Sequence, residues 1–169
     1  MATVAISQIP GVAEPLRAYL WEVTFVRTPQ GVSFPEGLKL RATTARIPGR
    51  EFERIELNYL WMVWAVHGRE AAAKELELEF WEGVDMAVRN AFMKWAELVG
   101  NWSNGEQANR ADVTGDVQLK LLDGKGNPVR TIVLRNAILL SVEAREVRYE
   151  ANEVVTFTAR FWYDYFEET

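Results

Sequence analysis

The side chains that could carry out chemistry are few, and their spacing assembles no reactive centre. One histidine, His67, and no cysteine occur in 169 residues, so neither a common zinc set nor a Cys–His pair can be built within one chain. Ser7, Ser33, Ser103 and Ser141 lack the Gly-x-Ser-x-Gly turn that exposes a nucleophile. "DGKGN" at 123–127 shares letters with calcium loops but lacks their later glutamate and has the length of a hairpin turn. Glu75 and Glu77 could do acid–base work in principle, yet on a period-two strand they read as a solvated face, with nothing to bury them and shift a pKa. No P-loop or dinucleotide fingerprint occurs. "NWS" at 101–103 fits a glycosylation sequon, but the N-terminal stretch shows no charged start followed by an apolar core. The expectation is a protein that is not an enzyme and needs no cofactor or metal.

What the chain has in excess is apolar surface. Hydrophobic residues make up 49% and aromatics 12%, which argues for a packed globule. The net charge is −5 and no Lys/Arg run exists, so a footprint for gripping nucleic acid is missing. No apolar run approaches the roughly 18 residues that span a bilayer. Yet "NYLWMVWAVHGRE" at 58–70 places two tryptophans, a methionine and valines where a polar loop is expected.

The segments around that stretch read mostly as strands. Residues 1–16 carry Pro10, Gly11 and Pro15 with little periodicity and read as an extended arm of a single domain, 1–169. "RAYLWEVTFVR" (17–27) is a strand by composition. "LKLRATTARI" (38–47) and "REFERIELNY" (50–59), divided by Pro48 and Gly49, read as a second and third strand forming a hairpin. After a loop to about residue 73, Leu76, Leu78 and Phe80 alternate with Glu75, Glu77 and Glu79. Residues 85–98 read as the one helix. Val84, Val88, Ala91, Phe92, Trp95, Leu98 and Val99 form its apolar stripe, Asp85 can cap it and Gly100 suits a left-handed stop. "DVQLKLL" and "PVRTIVLRN" flank the "DGKGN" turn, "AILLSVEAREVRYE" continues extended, and "EVVTFTARFWYDYF" alternates again. The predicted class is mainly β: an antiparallel sandwich or barrel with one amphipathic helix, and a core in which Val88, Phe92, Trp95 and Leu98 are the helix's share.

Four segments, in order, resemble the tail tube protein of contractile-tailed (myovirus-type) bacteriophages. "ARIPGREFERIEL" (45–57) is similar to that family's Ile/Leu-Pro-Gly hairpin and acidic strand, and "VHGRE" (66–70) to its Val-x-Gly-Asp/Arg turn. "VRNAFMKWAELVGNWSN" (88–104) resembles its Arg-x-x-Phe-x-x-Trp helix with an Asn-containing loop, and "VVTFTARFWYDYF" (154–166) its closing strand. The departure is at 60–65, where "LWMVWA" replaces a more polar stretch.

The resemblance implies a structural virion protein. Six copies would close into a ring by strand pairing, and rings would stack into the inner tube of a contractile tail through which the genome passes. Its partners would be other copies of itself, the tail sheath, baseplate and terminator proteins, with tape measure protein and phage DNA moving through the lumen without specific binding. The place would be the virion tail, assembled in the host bacterial cytoplasm. A subunit that is never alone also accounts for the apolar stretch, and Leu60, Trp61, Met62, Val63, Trp64 and Val66 are the expected inter-subunit contacts, the bland alternative being another core strand. Glu51, Glu53, Glu56, Glu143, Glu146 and Glu150 are candidates for the channel lining, because an acidic lumen repels phosphate weakly and lets a duplex slide. Within the same architecture a type VI secretion tube, a phage-tail-like bacteriocin or a tube initiator fits equally. From another class, a monomeric β-barrel could bind a small apolar ligand.

Overall fold

The computed structural model describes residues 15–71, 74–144, 147–150 and 152–169. Apart from Pro15 and Leu16, the expected arm lies outside the described residues, as does Glu146. The elements run β1 (Trp21–Arg27), α1 (Leu38–Arg41), β2 (Ala42–Ala45), β3 (Phe52–Tyr59), β4 (Met62–Glu70), β5 (Glu75–Trp81), α2 (Ala87–Val99), α3 (Arg110–Val113), β6 (Gly115–Leu122), β7 (Pro128–Ala144), β8 (Thr156–Trp162) and β9 (Tyr165–Glu168). The architecture is mainly β and antiparallel, with neighbours in the order β1-β6-β7-β8-β5-β2 and β9 added on β7.

β7 turns this path around a core. Its first half pairs with β6 and β9, and from Ile138 onward it pairs with β8. Between the halves Asn136 takes φ 52, a left-handed conformation that asparagine tolerates better than most residues. Asp116 locks the bend, accepting from the Asn136 N–H at 3.0 Å, from Arg27 at 3.0 Å and from Arg135 at 3.2 Å. Asn136 in turn donates to Asp164, which also accepts from Arg110. Three paired carboxylate hydrogen bonds on a nearly buried aspartate offset the cost of burying it.

Strand alternation and helix periodicity meet in one apolar interior. Leu76, Leu78 and Phe80 of β5 and Phe157, Ala159 and Phe161 of β8 are buried, facing Val88, Phe92 and Trp95 of α2. The rings interlock at centroid distances of 5.5 Å for Phe80–Phe92 and Trp95–Phe161, and the Trp95 indole donates to the Val113 carbonyl at 2.9 Å. Leu98, expected in this set, is 39% exposed, and Val84 lies outside the helix, fully exposed. The helix's 3.6-residue period carries Leu98 to the margin of the buried face, and Val84 precedes the first turn.

The helix ends also differ from expectation. Met86, at φ 51, occupies the N-cap position, and Glu82 does the capping from outside the turn. Its carboxylate accepts from the Arg89 N–H at 2.7 Å and the Gly83 N–H at 3.0 Å. Asp85 instead faces Arg41, whose guanidinium holds its carboxyl below the usual range. Gly100 is extended at φ −157, so no left-handed stop is used.

The second correction concerns 38–59. Residues 38–41 form a helical turn, and β2 does not fold back on β3. β2 pairs with β5, and β3 pairs with β4. The Pro48–Gly49 step interrupts an arm without reversing it, because the Ala71 N–H still reaches the Glu51 carbonyl at 2.8 Å between the two ladders. One long hairpin results, rooted in β2–β5 and extended by β3–β4. Residues 60–66, expected as a loop, are its two-residue tip followed by strand β4, and 66–70, expected as a turn, belong to that same strand.

Candidate assembly interface

The β3–β4 ladder stands clear of the body. Each residue of β3 is exposed, and so is each of β4 except the half-buried Gly68. Eight strand residues at about 3.3 Å each carry the hairpin roughly 25 Å outward.

Register sorts its side chains into two faces, because residues opposed in an antiparallel ladder share a face and successive residues alternate. Ile55 opposes Val66, Leu57 opposes Trp64 and Tyr59 opposes Met62, an unbroken apolar face of six side chains. Arg54 opposes His67, Glu56 opposes Ala65 and Asn58 opposes Val63 on the other. Arg54 and Glu56 form an ion pair there. Near the root the register shifts beside Gly68. A Cβ there would lie 3.2 Å from Glu53 and Ile55, so only glycine fits without displacement.

The tip is equally apolar. Leu60 and Trp61 are 85% and 87% exposed, and Leu60 has φ 52, a strained position that glycine or asparagine normally fills. The expected contact set is thus distributed rather than uniform. Met62, Trp64 and Val66 lie on the apolar face, Val63 lies on the polar one, and Leu60 and Trp61 form the tip. Ile55, Leu57 and Tyr59 belong to the same face and were missed, although their alternation with Arg54, Glu56 and Asn58 is visible in the sequence.

The acidic candidates do not gather on one surface. Glu53 and Glu56 are on β3 and Glu51 just before it, Glu143 is near the end of β7, and Glu150 is in an exposed turn beyond β7. A different acidic face is formed where β5, β8 and β7 lie side by side. Glu77 opposes Arg160, which opposes Ser141; Glu79 opposes Thr158, which opposes Glu143. Arg160 bridges Glu77 at 3.6 Å and Glu143 at 3.7 Å, and Thr44 donates to Glu79 at 3.2 Å. This face points away from α2, since the alternate residues Leu76, Leu78 and Phe80 point toward the core.

A largely apolar cavity of about 340 Å³ is lined by Trp21, Ala45, Ile47, Leu119 and Leu121. Among the described residues no group of three or more His, Asp or Glu side chains could hold a metal ion.

No protein-family model matches the chain, and no curated protein matches it by sequence. Solved structures do match in fold. A chain of the anti-feeding prophage cap, the tube-terminating cap, superposes with a TM-score of 0.69 at 16% identity, over 94% of this chain and 93% of that one. A chain of the sheath–tube complex of the PVC extracellular contractile injection system in its extended state gives 0.68 at 14%, covering 99% of both. A type six secretion system protein gives 0.52 at 10%, over 88% of this chain and 81% of that one. The chain therefore carries the fold found in the tube and tube-capping assemblies of contractile injection systems, a tail-tube-like fold.

Proposed function

We propose that the chain is a structural subunit of the tube of a contractile, tail-like particle, and not an enzyme. The observation that carries this reading is the projecting β3–β4 hairpin, whose apolar face and apolar tip have no core to enter. A surface of this kind is a liability on a free monomer and suits a subunit that is buried on assembly. Copies close into rings, six to a ring, by pairing β1 and β2, the end strands of the sheet among the described residues, with neighbouring chains, and rings stack into a tube. The particle is a phage tail, with the genome as cargo, or an extracellular injection machine of the kind the fold likenesses favour. In either, a sheath surrounds the tube, a baseplate and terminator close its ends, and cargo such as tape measure protein or DNA passes without specific binding. The lumen is lined by acidic positions on the outward face of β5, β8 and β7 (Glu77, Glu79 and Glu143) and on the polar side of the hairpin (Glu56).

The likeness to a tube-terminating cap favours a second reading, a subunit that forms one ring and stops the stack. Electron microscopy of the purified protein with sedimentation separates the two. Open-ended tubes support a tube subunit, isolated rings a cap, and a persistent monomer at high concentration removes both.

A further inference from the structure

The apolar face of the hairpin carries one thioether. Met62 closes the β3–β4 ladder opposite Tyr59, directly after the Leu60–Trp61 tip. It is 53% exposed and stands outside the core cluster, so its sulfur meets solvent in a free subunit and the body does not depend on it. With no cysteine in the chain, thioethers are the groups that peroxides oxidise first. Of the other methionines among the described residues, Met93 is half-buried within α2 and Met86 sits at the start of that helix. Neither belongs to the hairpin, so Met62 alone places this chemistry on the surface that has no core to enter.

We propose that Met62 is an oxidation site that gates assembly: hydrogen peroxide turns the free subunit into a form that stays folded but no longer joins its neighbours. The inference rests on the tube reading and adds a chemical control to it. In the step, the Met62 sulfur attacks one peroxide oxygen with a lone pair and the O–O bond breaks. That oxygen stays on sulfur as the sulfoxide, the other leaves as water, and the sulfur is oxidised by two electrons as the peroxide is reduced. The product is polar where the thioether was apolar, and it must give up water to enter an apolar contact. A polar group stripped of water in this way weakens association about tenfold or more. The ladder itself is held by backbone hydrogen bonds, which the side chain's oxidation leaves in place. Reduction of the sulfoxide by a methionine sulfoxide reductase reverses the gate.

The test compares the full wild-type chain with Met62→Leu and Met62→Gln, each before and after hydrogen peroxide, by sedimentation and electron microscopy. Untreated wild type and Met62→Leu should both assemble. Treated wild type should keep its circular dichroism, gain one oxygen on the peptide bearing Met62, and need about tenfold or more protein to assemble. Treated Met62→Leu should assemble as before, because leucine keeps the volume and has no sulfur to oxidise. Met62→Gln, polar from the start, should behave untreated as the oxidised chain does. A methionine sulfoxide reductase with a dithiol should restore assembly to the treated wild type. Normal assembly of wild type whose Met62 is shown to be oxidised would overturn the gate and leave the tube reading in place. Loss of assembly by treated Met62→Leu would overturn it too, by placing the sensitive site elsewhere. An untreated wild-type chain that never assembles would remove the tube reading, and the gate with it.

Discussion

Trp95→Ala should be the most damaging single change in the body of the subunit, and its cost follows from three contacts. The indole is completely buried, meets Phe161 at a tilt at 5.5 Å and Phe25 edge-on at 6.1 Å, and satisfies the Val113 carbonyl. Removing it leaves a cavity costing about 3–5 kcal/mol. The orphaned carbonyl adds about 1 kcal/mol more. A loss near 5 kcal/mol is a large share of the roughly 5–15 kcal/mol that holds a domain together. At about 2–4 °C per kcal/mol for a chain of this size, the midpoint should fall by about 10–20 °C. Gly115 supplies an internal control. A Cβ there would lie 2.7 Å from the Trp95 ring and 2.6 Å from the Arg27 carbonyl, so Gly115→Ala alone should also destabilise. In the Trp95→Ala background the first clash disappears, and the double variant should cost less than the sum. The assay is thermal unfolding followed by circular dichroism in a background that blocks assembly, such as Trp64→Glu. A Trp95→Ala shift under about 4 °C, or strict additivity of the pair, would refute the packing described for α2.

Trp61→Glu and Trp64→Glu, both at exposed positions, should leave monomer unfolding within about 0.5 kcal/mol of wild type while abolishing assembly in sedimentation; a variant that unfolds instead places these residues in a core. Acid should loosen the β7 bend. Burial pushes the Asp116 carboxyl up, but the Asn136 N–H and the Arg27 and Arg135 guanidiniums outweigh it, so its pKa is held below the ordinary value. A depressed carboxylate contributes stability that is fully present above the unfolded value of about 3.9 and is lost as pH falls through the folded one. Asp116→Asn should therefore lower stability at neutral pH and flatten its decline below about pH 4; an unaltered acid limb in the titration counts against the clamp. A strong chelator should leave rings or tubes intact by electron microscopy, and their dissolution would reveal a structural ion. Glu77→Lys with Glu143→Lys should give tubes that retain DNA at low salt and release it at high salt, read by co-sedimentation, whereas unchanged DNA recovery would place this face outside the lumen.

Elements whose signal is local were legible from the residues. "DGKGN" announced the β6–β7 turn, in which Asp123 accepts from the Lys125 and Asn127 N–H groups at 2.8 Å. Strict alternation announced β5, and the spacing of Val88, Phe92 and Trp95 announced α2. What escaped depends on distant partners. Glu82 reaches the Arg89 N–H across seven residues, so no adjacent cap residue gives the helix start away. Pro48–Gly49 reads as a turn, and only the β2–β5 ladder shows that it is an interruption in an arm. β4 hid its amphipathicity because Val63 and Ala65 on its polar face are themselves apolar, masking the period that Met62, Trp64 and Val66 follow. The acidic face of β5, β8 and β7 required the register of three strands that lie far apart in the sequence.

The order of strands in space also sets a timetable. Among the described residues β1 pairs only with β6, so Trp21 waits for Leu121, and β5 waits for β8, with Glu75 opposed by Trp162. At about 5–20 residues per second on a ribosome, β1 spends roughly 5–20 s without its partner. Over much of that interval the β3–β4 hairpin, which needs only itself to pair, is already outside with its apolar face open. Completion of a subunit is thus an event of its last residues, when β8 zips between β5 and β7 and closes the interior. A chain cut short before Thr156 can form the hairpin but lacks the strand that finishes the body behind it. On the tube reading proposed above, such fragments would act as chain terminators of the assembly.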